Sequence, residues 1–170
     1  MSSVLRHRLL ALLGGSALVI AVWLALPDSS AAPKTFARYE QPNLVIAAEP
    51  GTGFYGLEHS PKHLWAWSGG EATLVLHRLT STGPAQPVSL RFYLQSLSPR
   101  TLTVRYGEFV LWKGDLNAHR VLVEIPSFTM TSPLAQLILT SDRPGELKPG
   151  GHDPRLLAFA LYDLEISAAE

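Results

Sequence analysis

The chain of 170 residues contains no cysteine. That absence excludes disulfides, thiolate-ligated zinc, thiol catalysis and lipid attachment through sulfur. A domain built this way must be held by its core alone, and the roughly 140 residues beyond the N-terminal apolar run suffice for one. Excess charge is missing as well. Charged residues make up 16% of the chain, and 14 basic residues balance 14 acidic ones. Setting aside Arg6, Arg8 and Asp28, residues 33–170 carry 12 basic and 13 acidic side chains, a net of −1. Nucleic-acid binding needs a basic surface that displaces counterions from phosphates, so this balance argues against a nucleic-acid partner. Reaction motifs are lacking too. There is no G-x-S-x-G, no S-x-x-K with its companion motifs and no H-E-x-x-H. The glycine-bearing stretches "GPAQP" and "KPGGHDP" lack the strand-to-helix setting in which a loop cradles phosphate. After residue 32 no amphipathic helix of useful length occurs.

What is present begins with a membrane address. Arg6, His7 and Arg8 precede an uncharged run of 18 residues, Leu9 to Leu26, which Pro27 and Asp28 end. A helix of that length spans roughly 27 Å, close to the hydrocarbon thickness of a bilayer. Two readings follow. The run is an uncleaved anchor with Trp23 near the outer interface, or a signal peptide cut near Ser29-Ser30-Ala31-Ala32. The basic residues before it put the domain on the far side of the membrane.

The remainder reads as strands. "PVSLRFYLQSL" alternates most clearly, with Val88, Leu90, Phe92 and Leu94 on one face and Ser89, Arg91, Tyr93 and Gln95 on the other. That period of two is what a half-buried strand imposes. "NLVIAAEP", "EATLVLHRL", "RTLTVRYG", "EFVLWKGD", "HRVLVEIP" and "LAQLILTS" follow the same grammar, and Gly107 marks a tight hairpin. "FYGLE" and "HLWAWS" read as two short extended pieces around the turn "HSPK". "RLLAFALYDLEIS", apolar on both faces, predicts a central strand. Nine or ten close-spaced strands point to an all-β fold, an antiparallel jelly-roll-like β-sandwich, preceded by one N-terminal transmembrane or signal helix. The predicted organisation is an anchor or signal peptide over 1–32, a linker over 33–41 and the sandwich ectodomain over 42–170.

The candidate chemistry gathers in residues 53–76. Trp65 and Trp67 are two apart and share a face of a strand. Indole faces beside polar groups such as Glu58 and His63 suit the C–H faces and hydroxyls of sugars. The competing reading is that both tryptophans fill the core. His59 and His63 have the spacing of a helical zinc pair, but Pro61 between them makes the segment a turn, so no metal is expected. Glycoside hydrolysis needs two acids about 5–10 Å apart, and Glu58 with Asp153 is a pair without a motif behind it. No catalytic residue, metal ligand or cofactor is assigned.

"GFYGLEHSPKHLWAWSGGEATLVL" and "GHDPRLLAFALYDLEI" resemble segments of a β-sandwich accessory module. Such modules occur with bacterial glycosyltransferases and surface-polysaccharide biosynthesis proteins. Gly53, Phe54, Tyr55, Glu58, Trp67, Asp153, Arg155, Phe159 and Leu161 carry the likeness. Leu64 and Ala66 stand where an arginine would be expected, and a membrane helix replaces the fused transferase. The resemblance implies a non-catalytic, glycan-binding or scaffolding domain at the bacterial inner membrane, on its extracytoplasmic side, or secreted after signal cleavage. Its expected partners are the membrane and a glycan or polysaccharide-assembly protein. Tyr55, Glu58, His63, Trp65 and Trp67 are the expected ligand contacts. A module that docks an envelope enzyme, and a glycan-active enzyme, are the alternatives. Arg155 is further expected to pair with Glu58 or Asp153 and join the two ends of the domain.

Overall fold

The computed structural model describes residues 34–81 and 87–168. The anchor or signal helix expected over 1–32 lies outside the described residues. Among those described, no helix is long and apolar enough to cross a membrane.

Among the described residues, eleven strands follow one another as β1 (Ala37–Gln41), β2 (Leu44–Pro50), β3 (Glu58–His59), β4 (Leu64–Ser68), β5 (Glu71–Ser81), β6 (Pro87–Ser96), β7 (Arg100–Tyr106), β8 (Phe109–Leu116), β9 (Val121–Thr129), β10 (Leu134–Ser141) and β11 (Phe159–Ala168). They form two sheets, with antiparallel pairing throughout. The six-stranded sheet has the order β1-β2-β5-β10-β7-β8, and the five-stranded sheet β3-β4-β11-β6-β9. One core lies between them. Leu74, Leu76, Leu102, Val104, Leu137 and Leu139 enter it from the larger sheet, and Leu90, Phe92, Leu94, Val123, Phe159 and Leu161 from the smaller. Each set alternates along its strand, because residues two apart share a face and the core takes one face of each sheet. The alternation expected in 87–97 is borne out residue by residue in β6. The final strand is central, between β4 and β6.

Three expectations need correction. The segment read as a linker over 33–41 contains β1. Phe36 is buried, its N–H donates to the Ala48 carbonyl at 2.7 Å, and its ring meets Phe54 edge-on at 5.7 Å. Burial of that ring draws the lead-in onto β2, and Pro42-Asn43 closes the hairpin between Gln41 and Leu44. Second, "FYGLE" is not a continuous strand. Only a bridge from Phe54 to Ser68 and the short β3 survive, because Gly56 sits at φ 109°, outside any strand conformation. Third, the last strand begins at Phe159 rather than at residue 155. Residues 155–158 form an irregular arm, held by the bridge between Leu157 and Glu146.

Candidate functional site

The Ser60–His63 turn builds the first wall. Ser60 N–H donates to the His63 carbonyl at 2.8 Å, while Ser60 Oγ accepts from His63 N–H at 3.1 Å. Pro61 presets the bend. The hairpin this closes sets Glu58 opposite Trp65. In β4, Ala66 and Ser68 are fully buried, so Trp65 and Trp67 both project from the outer face of the five-stranded sheet. The core reading of the two tryptophans therefore fails: both are only half-buried.

Register carries the row across the sheet. Trp65 faces Tyr162, Tyr162 faces Tyr93, and Tyr93 faces Leu122. Trp65 stacks on Tyr162 with centroids 5.8 Å apart and planes 25° apart. The Arg120 guanidinium lies 4.0 Å from the centroid of the Tyr162 ring, a cation–π contact. Tyr162 is only 8% exposed. That burial raises its hydroxyl pKa above the usual value, and the positive Arg120 opposes part of the shift. Trp67, Ala160 and Gln95 form the next row.

Ion pairs frame this aromatic floor. Arg155 Nη1 donates to Glu58 Oε1 at 2.7 Å, and Arg155 Nη2 and Nε grip Asp153 at 2.7 and 2.9 Å. Trp65 Nε1–H donates to the remaining oxygen of Glu58 at 3.2 Å. Hydrogen bonds from Arg155 hold the Asp153 carboxyl at about 2, well below its ordinary 3.8. Asp153 and then Glu58 in turn raise the Arg155 pKa. The ion pair expected between the two ends of the domain is thus present, with both acids on one guanidinium. Tyr55 sits beside this knot rather than in the depression. Its ring lies 5.5 Å from the Arg155 guanidinium, and its hydroxyl donates to the Leu156 carbonyl at 2.9 Å. Gly69 makes room for that hydroxyl: a Cβ there would come within 2.9 Å of it.

At the far corner Asp163 does the equivalent work. It has φ 50°, the only non-glycine residue in the left-handed region among the described residues. It lies where the pairing of β11 with β6 shifts register, between Tyr162 and Glu165, as a β-bulge. Asp163 Oδ1 accepts from Leu64 N–H at 3.0 Å, and Oδ2 accepts from His63 Nδ1–H at 2.7 Å. A carboxylate only accepts, so Nδ1 supplies the proton of that bond, and Arg120 Nη1 lies beside the ring, 3.2 Å from Nδ1 and 3.4 Å from Nε2.

These groups enclose an open depression of about 370 Å³. Four of the five expected contacts, Glu58, His63, Trp65 and Trp67, line it, together with Arg120, Lys148 and Tyr162. His59 stays exposed on β3, and no cluster of three or more metal-capable side chains exists among the described residues. A larger depression of about 620 Å³ lies across the other sheet, lined by Thr101, Thr103, Arg105, Lys113 and Thr140. Among the described residues no aromatic ring lines it, so they offer nothing on which a sugar ring could stack. The sequence reading missed Tyr162, Arg120, Lys148 and Asp163, which come from segments remote from residues 53–76. One signal was available: Asp163 is a charge inside an apolar central strand, where only a bulge tolerates it.

Chemically, the site offers stacking surface and hydrogen-bond donors. It offers no free acid to a reaction. Asp153 stays ionised at neutral pH, so it cannot serve as a general acid there. Both oxygens of Glu58 are engaged.

No family model matches the chain, and no curated protein matches it. Among solved structures, the chain is similar to a mutant of a family 29 carbohydrate binding module, at 13% identity over 70% of this chain and 79% of that chain, TM-score 0.40. It is similar to the module named CBM4, at 8% identity over 72% and 87% of the two chains, TM-score 0.42. It is also similar to a family two carbohydrate esterase from Clostridium thermocellum, at 13% identity over 72% of this chain and 33% of that one, TM-score 0.39. Likeness at this level assigns no residue and no ligand to the present chain.

Proposed function

We propose that this protein is a non-catalytic carbohydrate-binding domain whose site is the aromatic outer face of the five-stranded sheet. The observation that carries it is the pair of half-exposed indoles on one face, with Trp65 stacked on Tyr162 and fixed by Glu58. A floor whose rings are locked before ligand arrives loses little entropy on binding. Sugar C–H faces stack on such rings while rim donors meet hydroxyls. The strand orders β4-β11-β6-β9 and β5-β10-β7-β8 support reading the sandwich as a jelly roll, extended by β1, β2 and β3. The 18-residue apolar run, Leu9 to Leu26, supports tethering of the domain to the bacterial inner membrane, on its extracytoplasmic side. Together with the resemblance of residues 53–76 and 151–166, this supports a role in cell-envelope polysaccharide biosynthesis or export.

The test is a glycan array probed with the full chain in mild detergent, with Trp67→Ala as control. Saturable binding by the wild type, lost in a folded variant, supports the proposal. Retention of binding by Trp67→Ala refutes this site.

One observation favours a second reading, a protein-docking module. At the tip of the β7–β8 hairpin, on an edge strand, Phe109 is 75% exposed and Val110 52%. Binding to no glycan, with an envelope enzyme captured through Phe109, would move the assignment there.

A further inference from the structure

The depression is polarised in its hydrogen-bonding capacity. Its acids are already hydrogen-bonded. Glu58 accepts from Arg155 and Trp65, Asp153 accepts from Arg155 with both oxygens, and Asp163 beside it accepts from Leu64 and His63. Its donors are not spent. Lys148 lines the depression and makes no direct ion pair or side-chain hydrogen bond among the described residues, its charge reaching Asp153 only through space. Arg120 directs Nη1 at Asp163, 3.6 Å away, and at His63, and it also bonds the Tyr162 hydroxyl, but its Nε and Nη2 have no acidic partner among the described residues. The Trp67 N–H likewise has no partner among the described residues. A neutral sugar presents hydroxyls that both donate and accept, and its donors would have to share carboxylates already bonded to Arg155, Trp65 and His63. An anionic substituent only accepts, which matches a rim of donors. Arg120 is also pinned in place by its stack on Tyr162, so its guanidinium is preorganised.

We propose that this site selects sugars bearing an anionic substituent, with the tryptophans taking the ring and Lys148 and Arg120 taking the charge. A carboxylate, as in a uronic acid, fits the Arg120 fork best. A sulfate or phosphate ester shares the same chemistry. The proposal rests on the carbohydrate-binding reading above.

The experiment is calorimetric titration of the full chain in mild detergent with four probes. These are tetragalacturonate, its methyl ester, cellotetraose and sulfated cellotetraose. The methyl ester keeps the sugar shape and removes the charge. Tetragalacturonate is expected to bind about tenfold more tightly than its ester, with a gap that closes as salt rises. Lys148→Gln is expected to lower the affinity for tetragalacturonate about three- to tenfold with an unchanged unfolding midpoint. Sulfated cellotetraose outranking tetragalacturonate would support the anionic class and assign a sulfate ester as its source. Equal affinity for acid and ester overturns the proposal, as does a Lys148→Gln variant that binds tetragalacturonate like the wild type. Binding of cellotetraose alone overturns the charge preference and leaves the carbohydrate reading standing. Failure of all four probes overturns both.

Discussion

Replacing Arg100 by methionine tests the most buried charge in the domain. The Arg100 side chain is 1% exposed, and its guanidinium donates to Glu146 at 3.1 Å, to the Pro144 carbonyl at 3.1 Å, to the Arg143 carbonyl at 3.4 Å and to Ser98 Oγ at 3.1 Å. No buried side-chain polar atom is left without a partner among the described residues. Methionine fills a similar volume but donates nothing, so the carbonyls of a tight loop lose their donor together. Breaking one side of a buried, hydrogen-bonded charge costs about 3–5 kcal/mol. For a domain of this size that lowers Tm by about 10–20 °C. Glu146 is different. Its side chain is 42% exposed, so water can replace its partner. Glu146→Gln keeps an acceptor oxygen and should cost less than about 1 kcal/mol. Urea unfolding followed by tryptophan fluorescence measures both. A cost below about 1 kcal/mol for Arg100→Met would refute the reasoning. An equal cost for both variants would locate the stabilisation in the ion pair alone rather than in the loop carbonyls.

Two further outcomes follow from the site. Asp163→Ala removes two hydrogen bonds and keeps a left-handed backbone, so it should cost about 2–3 kcal/mol, while Asp163→Gly should recover about 1 kcal/mol of that by relieving the backbone. Equal urea midpoints for the two variants would show that the backbone stores no strain. Asp153 has its pKa depressed from 3.8 to about 2 on folding, chiefly by Arg155. Its contribution is therefore fully present above about pH 4 and is lost as pH falls through about 2. Asp153→Asn should flatten the loss of stability across that window, and parallel acid-unfolding curves for variant and wild type would remove this ion pair from the account.

Much of the sandwich is legible in the residues because alternation is a local property. Val88 to Leu94 declare their faces without reference to any partner, and Gly107 declares its hairpin. The apolar run around Leu161 declares a strand buried on both sides, and β11 is that strand. The shared face of Trp65 and Trp67 follows from a spacing of two. What could not be read locally is what depends on sheet order. Tyr162 becomes part of the floor only because β11 pairs with β4, and Arg120 only because β9 begins beside it. Lys148 arrives on a loop with no pattern of its own. β1 was missed for a different reason: its anchor is Phe36, a single ring just outside the strand, and one buried aromatic makes no periodicity. Arg155 was found because charge and position sufficed, although its grip on both acids was not foreseeable.

The position of β11 also governs how the domain comes into being. It is the last described strand and the middle member of its sheet. Until a ribosome has delivered residues 159–168, β4 and β6 have no common neighbour, and the apolar faces of Leu90, Phe92 and Leu94 have no completed sheet to join. Nascent chains therefore carry unpaired edges for most of synthesis, a state prone to aggregation. Closure across about a hundred intervening residues is slow in proportion to its non-local contacts. A chaperone or an export apparatus that keeps the chain extended would act on the segment before β11 emerges, and removal of β11 would abolish the sheet rather than shorten it.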